Sequence, residues 1–287
     1  MQNLSYCRRT TGAGYNRWPF LRGFDITDSG EVTGISQDSL GNSAPFLWTQ
    51  RTGMIALPTL PGATYAFAGQ ANAHGIISGS SNSTSNLGVI LPVFWAKTGS
   101  TYKLRQLAIL PGALISLCCS LNTNGQGAGV AYFNDTETSF HGFLVTTSSV
   151  KDLGTLPGGT ISNAQWINST GVIAGYSTSA TSGSNWIAVL WDASGKIHSL
   201  GTLPGGTGSA GFGINDLNQI VGFSNSSSSS VNHAMLWSQK GGMNDLNNLI
   251  PSNSGWVLLL ATSINNAGQI TGYGTINGEN HAFLLTP

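Results

Sequence analysis

Residues 200–246 read LGTLPGGTGSAGFGINDLNQIVGFSNSSSSSVNHAMLWSQKGGMNDL. This stretch contains an LPGG loop, a Gly- and Ala-rich segment ending at Ile214, an IVGF segment, a Ser-rich loop, the run HAMLW and a final MNDL. The rest of the chain repeats this order, and the position of Ile214 is held by residues that we call the anchors: Ile26, Ala71, Leu121, Ile167, Ile214 and Ile264. Because the anchors recur every 45 to 50 residues, six copies of one unit fill nearly the whole chain.

Glycines keep a fixed register to the anchors. Eight residues after each anchor stands a glycine, namely Gly34, Gly79, Gly129, Gly175, Gly222 and Gly272. Four residues after each anchor stands a residue that tolerates positive φ, namely Gly30, Gly75, Gly125, Gly171, Asn218 and Gly268. This register predicts a short hairpin after each anchor that needs one left-handed residue, with an Asn or Asp side chain forming the turn just before it.

Each copy also carries a short apolar run, at residues 45–48, 92–95, 142–145, 188–191, 234–237 and 282–285. Neighbouring side chains of a strand point to opposite faces, so such a run predicts a strand that is buried on both sides. A blade held between two other blades provides that environment. The Trp residues of these runs are therefore predicted to pack between blades: Trp48, Trp95, Trp191 and Trp237.

The repeat predicts an all-β fold, a six-bladed β-propeller of four-stranded antiparallel blades that forms a single domain over residues 1–287. The last copy stops after its third strand, and MQNL at residues 1–4 resembles MNDL at 243–246. The N-terminal strand is therefore expected to complete the last blade and close the ring. In this arrangement the LPGG loops and the Ser-rich loops lie on one face.

Composition excludes several classes of function. Charged residues make up 8% of the chain and the formal net charge is zero, so the long-range field on which nucleic-acid binding relies is missing. No stretch is long and apolar enough to predict a membrane span, and the N-terminus lacks the apolar core of a signal peptide. The spacing of Cys7, Cys118 and Cys119 predicts neither a zinc site nor a disulfide framework, and favours free thiols.

Two regions offer candidate binding residues. Copy one has eight extra residues before its anchor, in a basic and aromatic segment that either grips an acidic or sugar partner or is simply a solvated terminal loop. The candidates in it are Arg8, Arg9, Arg17, Tyr15 and Trp18. Trp186 ends a Ser-rich loop and breaks the repeat, so it is the first candidate for an exposed stacking residue, although burial would explain it equally well.

Catalytic and metal-binding patterns are hard to find in the sequence. His141, His233 and His281 occupy equivalent positions at the start of a third strand, which places them on different blades and too far apart to share one metal ion. They are predicted to be structural hydrogen-bonding residues, and no metal or cofactor is expected. No spacing singles out a pair of carboxylates for glycoside hydrolysis, and no nucleophile elbow, Cys–His dyad or phosphate loop is present.

The HAM, HAF and HGF segments that begin at His233, His281 and His141, together with DLGTLPGG at 152–159, resemble the HAF-repeat proteins. The resemblance extends over all six copies, although the first three have diverged from it. It implies a propeller in an exported bacterial protein, with an extracellular, cell-surface or periplasmic location. The family supplies no catalytic residues.

These observations favour a non-catalytic propeller that displays neutral polar loops for binding or scaffolding. The expected partner is a protein or a glycan on the loop face. One alternative is a lectin-like carbohydrate-binding propeller. Another is a hydrolase whose site is assembled from residues of the central channel, which convergent carboxylates or a His beside a nucleophile would indicate.

Overall fold

The structure, a computed structural model, describes residues 21–37, 41–84, 89–227 and 229–287, with only the backbone described at 229 and 230. They form 23 strands and one short 3₁₀ helix, Leu246–Leu249. The strands are β1 Leu21–Ile26, β2 Val32–Gln37, β3 Ser43–Thr49, β4 Gly53–Ala56, β5 Ala66–Ala71, β6 Ile76–Asn82, β7 Ile90–Thr98, β8 Thr101–Gln106, β9 Ile115–Leu121, β10 Gly127–Tyr132, β11 Phe140–Val145, β12 Val150–Asp152, β13 Ser162–Ile167, β14 Ile173–Ser177, β15 Ile187–Trp191, β16 Ile197–Gly201, β17 Ser209–Ile214, β18 Ile220–Ser226, β19 Ser229–Ser238, β20 Gly242–Asp245, β21 Trp256–Ile264, β22 Ile270–Ile276 and β23 Glu279–Leu285.

These strands form five sheets. Three sheets have four strands each, in the orders β1-β2-β3-β4, β13-β14-β15-β16 and β17-β18-β19-β20. One sheet has eight strands, in the order β12-β11-β10-β9-β7-β6-β5 with β8 beside β7, and the last sheet has the three strands β21-β22-β23. The chain therefore runs back and forth within each copy, as short connections between antiparallel strands require.

The all-β prediction is confirmed, but the prediction of a six-bladed ring closed by the N-terminal strand is wrong. The described residues form five sheets, and none of these sheets is closed. Copies two and three share the eight-stranded sheet because β7 and β9 pair in parallel at Ile90 and Ile115. The N-terminal strand expected at residues 1–4 lies outside the described residues.

The chain divides into two compact units. Unit 1 contains the described residues up to 137 together with 144–151, and unit 2 contains 138–143 and 152–287. The core of unit 1 includes Leu47, Ile77 and Trp95, and one core of unit 2 surrounds the anchor Ile214 and Met235. The prediction of a single domain stays a prediction.

The turn after each anchor is built as predicted. All six residues that follow an anchor by four have positive φ, from 57° at Asn218 to 84° at Gly171. In copy five the side-chain Oδ1 of Asn215 accepts hydrogen bonds from the backbone N–H groups of Leu217 and Gln219, at 3.1 and 3.0 Å. The amide side chain thus fixes the turn that the left-handed residue makes possible.

The same Asn residues link one copy to the next. The side-chain amide nitrogen of Asn168 donates to the backbone carbonyl of Asn215 at 3.0 Å, and that of Asn215 donates to the carbonyl of Asn265 at 3.1 Å. In unit 1, Asn72 donates in the same way to the carbonyl of Asn122 at 3.0 Å. The repeated Asn therefore serves both its own turn and the packing of adjacent copies.

Replacing Asn215 by Ala should lower the free energy of unfolding by about 2–3 kcal/mol, because two backbone donors and one cross-copy carbonyl lose their partner. Asn215→Asp keeps the acceptor for the turn but cannot donate to Asn265, so an intermediate loss is expected. Urea denaturation measures the loss of unfolding free energy in both variants. Asn244→Ala is the matched control, since this exposed side chain bonds only within its own hairpin, and an equal loss there would contradict the cross-copy role.

The glycine eight residues after each anchor is explained by close backbone contact. In copy five the first strand has a register shift between Gly211 and Gly213, where it holds one extra residue. A Cβ on Gly222 would lie 1.9 Å from the carbonyl oxygen of Ala210, and a Cβ on Gly175 would lie 2.0 Å from that of Asn163. All six of these glycines meet the equivalent carbonyl at 1.9 to 2.1 Å, so no larger residue fits there.

The apolar runs are buried as predicted in some copies and not in others. Val93 and Trp95 of β7 are fully buried, as is Trp191 of β15. Trp48 is 38% exposed, and in the last copy Leu284 of β23 is 60% exposed. Burial on both faces is therefore wrong for the last copy, where β23 is the outermost of three strands.

Candidate functional site

Each LPGG loop is hydrogen-bonded to the last residues of a second strand. In copy five the backbone N–H of Leu203 donates to the Ser224 hydroxyl at 2.9 Å. The side-chain Oδ1 of Asn225 accepts from the backbone of Thr207 and Gly208 at 2.8 and 2.9 Å. Because these bonds use the polar atoms at the start of the Ser-rich loop, this part of the loop is structural.

The Ser-rich loops are thus only partly available for binding. Their first residues are buried, including Ser81, Ser177 and Ser224, all with no exposed surface. The tip of the loop in copy four, residues 183–185, is exposed. The sequence predicted that the whole loops are displayed, because they are neutral and polar. The hydrogen bonds of their buried hydroxyls could not be read from composition.

Of the His–Asp pairs among the described residues, the one with the shortest contact lies at this same end of copy five. Nδ1 of His233, at the start of the HAMLW run, lies 2.6 Å from Oδ2 of Asp245, at the end of β20. The side chains are 17% and 16% exposed. The other carboxylate oxygen of Asp245 accepts from the backbone and side-chain nitrogens of Asn247, each at 2.9 Å. Asp245 is therefore held from both sides and in turn holds the imidazole.

Copy three contains an equivalent pair. Nδ1 of His141 lies 2.8 Å from Oδ2 of Asp152, with side chains 29% and 44% exposed. Oδ1 of Asp152 accepts from the backbone N–H of Gly154 at 2.7 Å, where the LPGG loop begins. This pair has the same geometry as that of copy five but is more open to solvent.

The His and the Asp occur together or not at all among the four-stranded copies. The two equivalent positions hold Ala44 and Ala56 in copy one, Leu91 and Gln106 in copy two, and Ile187 and Ser199 in copy four. The sequence predicted a hydrogen-bonding role for each His but did not identify its partner. The co-occurrence was the signal that could have paired them.

The third predicted histidine, His281, has different surroundings. It lies on β23 in the three-stranded last sheet, and its ring meets the edge of Trp256 at a centroid distance of 6.1 Å. The structural role predicted for these histidines stays a prediction. Among the described residues no three His, Cys, Asp or Glu side chains converge as metal ligands.

A further His–Asp contact belongs to a surface hairpin. Nε2 of His198 lies 2.9 Å from Oδ2 of Asp192, whose other oxygen accepts from the Ser194 hydroxyl and backbone and from Lys196. The hydrogen bonds of Ser194 and His198 hold the pKa of Asp192 well below its usual value. Because all these residues lie in the single β15–β16 hairpin, the cluster stabilises that hairpin.

A His–Asp pair such as His233–Asp245 can accept a proton. With Nδ1–H donating to a carboxylate, the neutral imidazole carries its lone pair on Nε2, where it can accept a proton. The carboxylate also stabilises the imidazolium that results. The pair in copy five is therefore suited to general acid–base chemistry.

Trp186 is half-buried rather than fully exposed. Its ring stacks on Tyr176 with centroids 4.3 Å apart and an interplanar angle of 18°, and the Tyr176 hydroxyl accepts from the side chain of Asn163 at 3.2 Å. One face of the indole is thus already covered. Its role as a stacking residue for a ligand stays a prediction.

The other predicted binding residues, Arg8, Arg9, Arg17, Tyr15 and Trp18, lie outside the described residues, as does Cys7. Cys118 is a free, buried thiol, and burial raises its pKa so that it stays protonated. The prediction of a free thiol is wrong for Cys119, which is disulfide-bonded. Spacing alone could not show this because a disulfide depends on distance in space.

The sequence matches no protein-family model, and no curated protein matches it. Solved structures do resemble the chain. It is similar to virginiamycin B lyase from Staphylococcus aureus, with a TM-score of 0.52, 12% identity and coverage of 90% of this chain and 82% of the lyase. It is also similar to a prolyl endopeptidase, with a TM-score of 0.59, 7% identity and coverage of 93% and 41%. A puromycin-hydrolyzing peptidase of Mycobacterium tuberculosis gives a TM-score of 0.57, 10% identity and coverage of 92% and 43%.

The fold is thus all-β and propeller-like, and the chain spans less than half of the two peptidases. The prediction of a non-catalytic binding or scaffold protein is wrong, because solved structures that share this fold include a lyase and two peptidases. Repetition and missing motifs favoured a non-catalytic protein over a hydrolase, but neither feature excludes catalysis. Among the described residues, no helix is long and apolar enough to cross a membrane.

Proposed function

We propose that this chain is an acid–base enzyme of the lyase class. The observation that carries the proposal is the half-enclosed His233–Asp245 pair, in which Nδ1 is fixed at 2.6 Å from a carboxylate that is itself held by Asn247. In this role Nε2 of His233 removes a proton from the substrate, and Asp245 fixes the tautomer and stabilises the charged imidazole.

Elimination is favoured over hydrolysis for two reasons. Proton abstraction followed by bond cleavage needs a base but no protein nucleophile, and the sequence has neither a nucleophile elbow nor a Cys–His dyad. The similarity to a lyase also extends over 82% of that chain, whereas the peptidases are matched over less than half of theirs.

The test uses virginiamycin B, named in the similar lyase, and a panel of esters and amides carrying a leaving group β to an acidic C–H. Reactions are run in ¹⁸O-labelled water and followed by mass spectrometry. Elimination gives products whose masses sum to that of the substrate, whereas hydrolysis incorporates labelled oxygen. We expect elimination, and we expect kcat to fall about a hundredfold or more in His233→Gln and in Asp245→Asn.

His141→Gln is the matched control, because it removes the same side chain from the equivalent but more exposed pair. It should leave kcat within about twofold while lowering stability about as much as His233→Gln does. Turnover that is unchanged in His233→Gln would overturn the assignment of the base. A panel without any elimination product would count against the lyase class.

The proposal includes export and the HAF-repeat relationship. The disulfide at Cys119 supports export, because disulfides persist mainly in oxidising compartments. Recovery of the protein from the cytoplasmic fraction alone, with Cys119 reduced, would contradict this part of the proposal.

A further inference from the structure

Asp25 is a buried carboxyl that the proposed chemistry does not use. It is the residue before the anchor Ile26 in β1, and it is 8% exposed. Its Oδ2 accepts a hydrogen bond from the backbone N–H of Ala71 at 3.0 Å. Since Ala71 is the anchor of the next copy, this side chain links copies one and two.

A neutral side chain makes the same link one copy further on. Gln70 directly precedes the anchor Ala71, and its Oε1 accepts from the backbone N–H of the anchor Leu121 at 2.8 Å. The link is therefore a repeated feature, a side-chain oxygen before one anchor bound to the N–H of the following anchor. Asp25 differs from Gln70 in being able to ionise.

The described residues around Asp25 offer its charge little compensation. The strands packed against β1 are β2 and β5, and neither contains an ionisable residue. The charged groups nearest in sequence are Asp28 and Glu31 in the following turn, and Arg22, whose guanidinium lies over the Phe24 ring at 5.3 Å. Burial raises the pKa of Asp25 from 3.8 to about 6, against the lowering effect of hydrogen bonds from Ala71 and Ile26, and Asp28 raises it further.

We infer that Asp25 is a proton-controlled link between the first and second copies, closed when its carboxyl is protonated and loosened when it ionises. The direction of this pH dependence follows from the difference in proton binding between the closed and the opened state. A carboxyl whose pKa is higher in the closed state than in the opened state binds more protons when closed. The stabilisation of the closed link by Asp25 is therefore complete below about pH 4 and is lost as the pH rises through about 6. Acidification therefore tightens this part of unit 1.

The test is amide hydrogen exchange, followed by NMR from pH 4 to 7.5 and corrected for the intrinsic rate. Protection of the Ala71 amide should fall by about a hundredfold over this range, whereas that of Leu121 should not change. Asp25→Asn should keep Ala71 protected at all pH values. Gln70→Glu should add a pH dependence at Leu121 while Ala71 keeps its own, and this variant remains informative even if Asp25→Asn does not fold.

Three outcomes would overturn the inference. The first is Ala71 protection that is independent of pH in the native chain. The second is an equal fall at Ala71 and Leu121, which would indicate global unfolding. The third is a pH dependence at Ala71 that persists in Asp25→Asn. None of these outcomes depends on catalytic activity, so failure of the lyase proposal leaves this test intact.

Discussion

Replacing Gly222 by Ala should destabilise the protein by about 3 kcal/mol or more. The added Cβ would lie 1.9 Å from the carbonyl oxygen of Ala210 and about 3 Å from further backbone atoms of the first strand. A backbone neighbour cannot rotate away as a side chain can, so β17 and β18 must move apart. Urea denaturation of the two proteins measures the loss.

Gly242→Ala is the matched control for this prediction. Gly242 has φ of +63° and nothing within 4 Å of an added Cβ, so only conformational strain is expected, about 1 kcal/mol. If both variants lost the same stability, the close carbonyl would not be the reason for the glycine. Gly175→Ala, with its Cβ 2.0 Å from the Asn163 carbonyl, should behave like Gly222→Ala.

Removing the Trp191 side chain should have a similarly large effect. Trp191 has no exposed surface, and its Nε1 donates to the carbonyl of Leu153 at 2.8 Å. Trp191→Ala should cost about 3–5 kcal/mol through the cavity that it leaves. Trp191→Phe keeps much of the ring but leaves the Leu153 carbonyl without its donor, so about 1–3 kcal/mol is expected. Thermal and urea denaturation give both values.

Trp48 provides the comparison within the same chain. It occupies the equivalent position in copy one but is 38% exposed, so Trp48→Ala should cost clearly less than Trp191→Ala. Equal losses at the two positions would contradict the view that burial and the bond to the start of the LPGG loop set the role of Trp191. Trp95, which donates to the Pro58 carbonyl at 2.7 Å, should resemble Trp191.

The local features of each copy could be predicted from the sequence, whereas the arrangement of the sheets could not. The register of Gly30 and its equivalents predicted positive φ at all six positions because the requirement lies within one turn. Sheet boundaries depend instead on hydrogen bonds between copies, such as the Ile90–Ile115 pair that merges copies two and three. A sequence repeat shows that each copy has similar local structure, but it does not show which strands of different copies pair with each other.

In the candidate site too, individual residues could be predicted from the sequence, whereas their contacts could not. His233 was recognised as a repeat position, but its partner Asp245 lies 12 residues away on a different strand, so their contact depends on register. Trp186 was singled out because it breaks the repeat, and its stacking on Tyr176 could not be foreseen because the partner belongs to a neighbouring strand. The non-catalytic prediction relied on missing motifs, which record known solutions for catalysis, whereas the proton-transfer site that we propose at His233 needs only a positioned base.

The carbonyl that fills the space beside Gly222 also determines how distant relatives of this chain can be recognised. Copies one, two and four lack the His of the HAF segment, yet all three keep the glycine, at Gly34, Gly79 and Gly175. A search for ancestral duplications of this unit should therefore give more weight to that single glycine, eight residues after an apolar anchor, than to the His-Ala-Phe residues after which the repeat is named.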